Sequence, residues 1–283
     1  MFSSSICKTF QKGPTMFRRA ASSFGKVATG LAGAQLGTAA VVALTDKELG
    51  KKPEWYQNAV RSLESSLKRL SKKGFIESES CLNDAQDALG RVSDIHNCEI
   101  QWRLARVYAE KAALSKCAHE KAHLLHDAKA AAKRALAVEP AKGSAGAHKW
   151  YAITVIRLHE LEPKTTNLDD AVKHLEIATK KDPSDPYSFT LLGIQQYNNK
   201  DYKEALENFQ KAETIKAGFS ANNKYYLGAA LKANGKKDEA IKSLKEVLVT
   251  VPTGEFDGKA KFLAKGLLAQ LGLKPEEYEV GEF

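Results

Sequence analysis

The residues best suited to chemistry lie in one short run. His119-Glu120-Lys121-Ala122-His123 fits H-E-x-x-H, the pattern that places two imidazoles on one helix face beside a carboxylate and so can hold zinc. His126 extends the face to positions i, i+4 and i+7, and Cys117 stands just upstream. The surroundings do not complete a peptidase: no glycine turn and no distant third ligand follow in the patterns such enzymes use. The expectation is therefore a polar helix face with histidines in it, with no metal and no cofactor. No phosphate-binding glycine loop, dinucleotide fingerprint or nucleophile elbow occurs in the chain, and His148, His159 and His174 stand singly. No catalytic residue is assigned, and a non-enzymatic protein is expected.

The other chemistry available is recognition, and it depends on a repeat. Ala171, Leu175 and Ala178 recur 34 residues later as Ala205, Phe209 and Ala212, and 35 beyond those as Ala240, Leu244 and Val247. Leu192-Gly193 recurs as Leu227-Gly228, and Ala128, Ala132, Ala135 and Pro140 precede the Ala171 set by 43 residues. A period near 34 with small, large and small residues and a closing proline is the tetratricopeptide pattern. Each unit is two antiparallel helices that cannot bury their apolar faces alone, so units stack into a superhelix. The fold expected is all-α: a tetratricopeptide-like array of antiparallel helix pairs ending in a capping helix, Asp257 to Leu271.

The register directs the first helix of each pair toward a concave groove. Arg103, Lys111, His148, Tyr151, Tyr187, Tyr197, Asn222, Tyr225 and Lys232 are the candidate groove residues. Tyrosines with a few bases suit an acidic extended peptide or an anionic lipid head group, and the same tyrosines equally suit packing between helices. An outer basic surface is also expected at Lys129, Lys133 and Arg134 and at Lys236, Lys237, Lys242 and Lys245.

The units before residue 168 depart from the period. Trp102 and Trp150 take the tryptophan position, but the distances to Pro140 and Pro183 exceed a regular unit. Leu114 to His126 reads as continuing helix, and Glu162 to Asn167 reads as an open turn. Upstream, Trp55–Leu70 and Glu79–Val92 read as a further pair divided at Lys73-Gly74.

Charge separates a leader from this array. The chain carries a net charge of +9, and residues 1–45 hold five bases and no acid, which leaves +4 on the other 238 residues. That mild, mixed charge excludes a nucleic-acid-binding footprint. Residues 1–50 form a basic leader whose stretch Val27–Leu44 has no charge. It is open to three readings: an unfolded segment, an organelle presequence or a weak membrane anchor. The repeat domain is placed at 53–272 and an acidic, disordered tail at 273–283.

Three strings carry a resemblance. Trp102-Arg103-Leu104-Ala105-Arg106, His148-Lys149-Trp150-Tyr151-Ala152-Ile153 and Phe209-Gln210-Lys211-Ala212-Glu213 resemble, in order and spacing, the regulator of microtubule dynamics family. The resemblance covers about Trp55 to Leu271, and the compact size is most like the short nematode-type members. It implies a tetratricopeptide-like adaptor whose partners are tubulin and microtubules, together with mitotic regulators, acting in the cytoplasm at the spindle and spindle poles in chromosome segregation. It equally admits the family's other setting, at mitochondria or membrane contact sites, where the repeat domain is linked to lipid binding.

Overall fold

A computed structural model describes residues 50–51, 53–72, 78–91, 97–251 and 255–278 of the 283. The leader through residue 49, the Lys73-Gly74 turn, Pro252 and the last five residues lie outside the described residues. Among those described there are eleven α-helices and no strand. They are α1 (Glu54–Lys72), α2 (Glu79–Gly90), α3 (Cys98–Leu114), α4 (Ala118–Ala137), α5 (Ala145–Leu161), α6 (Leu168–Lys181), α7 (Pro186–Asn198), α8 (Tyr202–Ile215), α9 (Ala221–Ala233), α10 (Lys237–Val249) and α11 (Glu255–Gln270). Consecutive helices pack as antiparallel pairs, and α3 with α5 and α9 with α11 also touch across units.

Local chemistry fixes the helix ends. Ser78, Asn97, Ser144, Asn167, Asp185 and Ser220 are N-caps whose side chains accept a hydrogen bond from a first-turn N–H that has no partner within the helix. The turn after α9 closes on Gly235 at φ +79, while the equivalent turn after α7 uses Lys200 at φ +71. A side chain in that left-handed region costs about 1 kcal/mol, which Gly235 avoids.

The repeated small and large residues meet as the period requires. Phe209 and Leu244 are fully buried, as are Ala205, Ala212 and Ala240. A Cβ on Gly193 would lie 2.7 Å from Cε1 of Phe209, and one on Gly228 would lie 2.7 Å from Cγ of Leu244. Each glycine therefore opens the space that the next helix's large residue fills. Gly228→Ala gains about 1 kcal/mol of helix propensity but overpacks the contact by about 2 kcal/mol, because the Leu244 branch point cannot swing away. A net loss of about 1 kcal/mol is expected in urea unfolding; a stabilised variant would show that the close crossing is not required.

The lengthened early units are built differently from the continuous helix expected at Leu114 to His126. The chain breaks at Ser115–Cys117, where the Ser115 hydroxyl accepts from the Cys117 N–H and donates to Glu120 at 2.7 Å. The additional residues instead lengthen the two helices on either side, to 17 and 20 residues. The turn expected at Glu162 to Asn167 is present between α5 and α6. Part of the tail expected to be disordered is ordered: Pro275–Glu277 form a 3-10 turn, and Tyr278 packs on the C-terminal core.

The buried apolar side chains form two main bodies. One runs from Leu63 through α2–α6 to Leu192 on α7, and the other from Ala205 on α8 to Leu271 after α11.

Candidate binding groove

The nine candidate groove residues separate into two groups. In the lengthened half, Arg103, His148 and Tyr151 are buried. The Arg103 guanidinium lies 4.1 Å from the Trp102 ring centroid and pairs with Glu99 at 2.5 Å. Lys111 is half-buried and donates to Gln86 on α2 at 2.5 Å. In the regular half, Tyr187, Tyr197, Asn222, Tyr225 and Lys232 are all half-buried. The Asn222 backbone N–H donates to Asp257 of α11, and Lys232 donates to Gln270 at 3.0 Å.

His148 and Tyr151, one helical turn apart on α5, belong to a polar cluster with partners from elsewhere in the chain. Nδ1 of His148 is 2.6 Å from Nδ1 of His174 on α6, and its Nε2 is 3.2 Å from Glu139 in the α4–α5 connection. The Tyr151 hydroxyl donates to Asp170 at 2.7 Å, and its ring lies 4.4 Å from that of His174. Two facing Nδ1 atoms need one proton between them, so a second proton breaks the link between α5 and α6. Burial, then the neighbouring His148, hold the His174 imidazole below its ordinary value; Asp170 and Glu139 oppose this. Burial, then the hydrogen bond and charge of Asp170, push Tyr151 up to about 12.

A base whose folded value is depressed contributes its full stability above the ordinary value of 6.5 and loses it as the pH falls through the window below. The protein is therefore expected to lose stability through this group as the pH falls below about 6.5. His174→Gln should flatten that part of the urea-midpoint profile. An unchanged profile in the variant would assign the acid sensitivity elsewhere.

The second group is aromatic. Tyr197 on α7 lies 5.2 Å from Tyr202 and 5.8 Å from Tyr226, and Tyr226 lies 5.1 Å from Tyr225 and 5.8 Å from the buried Phe209, ring centroid to centroid. Burial, then neighbouring tyrosines, raise Tyr197 and Tyr225 above the ordinary phenol value. Their rings thus support the helices and still keep part of their surface in water. Between the groups, Lys149 pairs with Asp185 at 2.7 Å and lies 5.1 Å from the Tyr187 ring centroid. Burial pushes the Asp185 carboxyl up, but Lys149, Ser188 and the Tyr187 N–H outweigh this and hold it low.

The H-E-x-x-H face gathers no ligand set. His119, His123 and His126 are exposed on α4; His123 is 3.3 Å from Asp127 and His126 is 3.0 Å from Glu162. Among the described residues no three His, Cys, Asp or Glu side chains could share a metal ion.

Comparison with known proteins places the chain. The family model for regulator of microtubule dynamics proteins 1–3 matches residues 65–201 and 194–272. The chain belongs to this family. Regulator of microtubule dynamics protein 1 of Mus musculus is 35% identical over 164 residues, covering 49% of this chain and 53% of that protein. Protein 2 of Homo sapiens is 26% identical over 216 residues, covering 68% of this chain and 51% of that protein. The chain thus spans about half the length of the curated relatives it matches. A tetratricopeptide protein of Thermus thermophilus shares the fold, at 15% identity and a TM-score of 0.51 over 75% of this chain and 99% of that one.

In this regulator of microtubule dynamics family member, two of the three resembling strings meet each other. A Cβ on Gly146 of α5 would lie 2.6 Å from the Trp102 ring. The Arg106 guanidinium lies 5.4 Å from the Trp150 ring centroid and pairs with Glu110 at 2.9 Å, both side chains being buried. Sequence reasoning missed Glu110, Glu139, Asp170 and His174 as partners. Only Glu110 left a trace, standing one helical turn after Arg106.

Proposed function

We propose that this protein is a non-enzymatic, microtubule-associated adaptor that acts at the mitotic spindle in chromosome segregation. Its repeat domain, 53–272, binds acidic partner segments, those of tubulin first and of mitotic regulators second. Membership of a family named for microtubule regulation carries this reading. The half-exposed Tyr197, Tyr225 and Lys232 supply aromatic surface and positive charge of the kind an acidic extended peptide requires. Co-sedimentation with microtubules should be saturable at low salt, weaken several-fold at moderate salt, and weaken again in Lys232→Glu. Absence from the pellet at low salt would end this reading.

The basic leader, acid-free through residue 45, favours a second reading: a mitochondrial or contact-site protein whose groove holds an anionic lipid. Among the described residues no helix is long and apolar enough to cross a membrane. A C-terminally tagged protein found on spindles in dividing cells supports the first reading, and one confined to mitochondria supports the second.

A further inference from the structure

Aromatic rings on α3, α5 and the start of α7 carry cations of the chain itself. The Arg103 guanidinium lies 4.1 Å from the Trp102 ring centroid and that of Arg106 lies 5.4 Å from Trp150. Lys149 lies 5.1 Å from Tyr187 and Lys211 lies 5.9 Å from Phe189. The tyrosine cluster of the regular half breaks this pattern. Tyr202, Tyr197, Tyr226 and Tyr225 form a row of half-buried rings across α7, α8 and α9, with successive centroids 5.2, 5.8 and 5.1 Å apart. Among the described residues no lysine or arginine lies over any of these four rings, and none of the four hydroxyls has a hydrogen-bond partner.

The charged side chain that acts on this row is an acid. Burial, then Tyr197 and Glu160, raise Tyr226 above the ordinary phenol value. No base lowers Tyr197 or Tyr225, where burial and neighbouring tyrosines act alone. Glu160 is exposed in the last turn of α5, and among the described residues its carboxylate has no ion pair or hydrogen bond. Helix stability does not explain it there, because the C-terminal end of a helix dipole disfavours negative charge. It stands in the final turn of a lengthened helix, since α5 has 17 residues where α7 and α9 have 13. The bases around the row are engaged or balanced. Lys224 pairs with Glu246 and Glu213, and Lys232 donates to Gln270 at 3.0 Å. Lys200 and Lys203 are exposed beside the equally exposed Asp201 and Glu204.

Rings without a cation beside a carboxylate without a partner suit a positive charge. The ring faces attract it, and the carboxylate supplies the full charge that neutral phenols lack. A guanidinium fits better than an ammonium. It is planar and less strongly hydrated, and it can stack on a ring while its N–H groups donate to hydroxyl and carboxylate oxygens.

We propose that the tyrosine row and Glu160 form a binding site for an arginine side chain of an extended partner segment, the guanidinium stacking on the rings and pairing with the carboxylate. This goes beyond the reading of an acidic partner and does not rest on it. Acids of such a segment would be met by Lys232, and its arginine by Glu160.

Two fluorescein-labelled peptides serve as probes. One repeats Gly-Arg-Gly-Glu, and the other has citrulline in place of arginine, which keeps the planar shape and removes the charge. Fluorescence anisotropy with the full chain at low salt should show saturable binding of the arginine peptide, at least about tenfold tighter than that of the citrulline peptide. Glu160→Gln should weaken the arginine peptide several-fold, and Glu160→Lys should remove its advantage altogether. Tyr197→Phe keeps the ring and should retain most of the binding, whereas Tyr197→Leu should lose it. Circular dichroism should be unchanged in both Glu160 variants, because that side chain is exposed. Equal binding of the two peptides, saturable binding of neither, or indifference to both Glu160 variants overturns the proposal. If the peptides bind equally and Lys232→Glu weakens both, the acidic-partner reading outlives it. Co-flotation with phosphatidylcholine vesicles that Glu160→Lys abolishes, without preference for the arginine peptide, would assign the rings to a lipid head group and overturn it as well.

Discussion

Phe209→Ala is expected to destabilise the protein by about 4 kcal/mol, with the loss concentrated in its C-terminal half. The ring is fully buried, fills the space left by Gly193 and stacks on Tyr226 at 5.8 Å. Removing it leaves a cavity bounded by three helices. It also disturbs Asn223, which is fully buried and satisfied by Thr190 at 2.8 Å, Glu213 at 2.8 Å and the Phe209 carbonyl at 3.3 Å. The two main apolar bodies meet near α7 and α8, and Phe209 belongs to the second. In a solenoid each unit touches only its neighbours, so damage stays local until the interface between units fails. Amide exchange in α8–α11 should therefore accelerate at denaturant concentrations that leave α3–α6 protected. Uniform acceleration along the chain would show that the array unfolds as one body.

How much of this was legible in the sequence depends on distance along the chain. The regular units were visible because their contacts repeat: Ala205, Phe209 and Ala212 face the same neighbours as Ala240, Leu244 and Val247, so the period reports the packing. The family-like strings were visible as words, but the contacts they make were not. Nothing in the sequence around His148 indicates that its ring will meet His174, 26 residues on, with Glu139 behind it. Those groups lie on three different elements of a lengthened unit, where the period gives no register. The break at Ser115–Cys117 was hidden for a related reason. Alanine, leucine and lysine on both sides favour helix, and one hydroxyl hydrogen-bonded to a backbone N–H is enough to turn the chain. The same limit applies to the end of the array. Asp257 to Leu271 was legible as a capping helix, but the exposure of Phe262 depends on which face the preceding pair covers. The candidate groove residues illustrate both cases, since the helices that carry them were legible and the division between buried and half-exposed side chains was not.

Arg106→Leu is expected to cost about 3 kcal/mol, and adding Glu110→Leu should return at least half of that loss. The pair joins two side chains of α3 at 2.9 Å, with exposures of 9% for the arginine and 1% for the glutamate. Removing the cation alone takes the ion-pair partner from a carboxylate that water does not solvate, whereas replacing both removes the desolvation penalty together with the attraction. The arginine also lies over Trp150, so part of the loss reflects packing and persists in the double variant. Urea unfolding of the two single variants and the double variant closes a thermodynamic cycle. A single-variant loss below about 1 kcal/mol, or a double variant that only adds the two losses, would mean that the pair is not coupled. The double variant also bears on function. Arg106 and Trp150 belong to the strings that resemble the family, and both lie inside the α3–α5 contact rather than on an open surface. If the restabilised double variant still co-sediments with microtubules, those strings serve to shape the lengthened unit, and recognition rests with side chains that reach water. If stability returns without binding, the α3–α5 contact itself sets the geometry the partner requires.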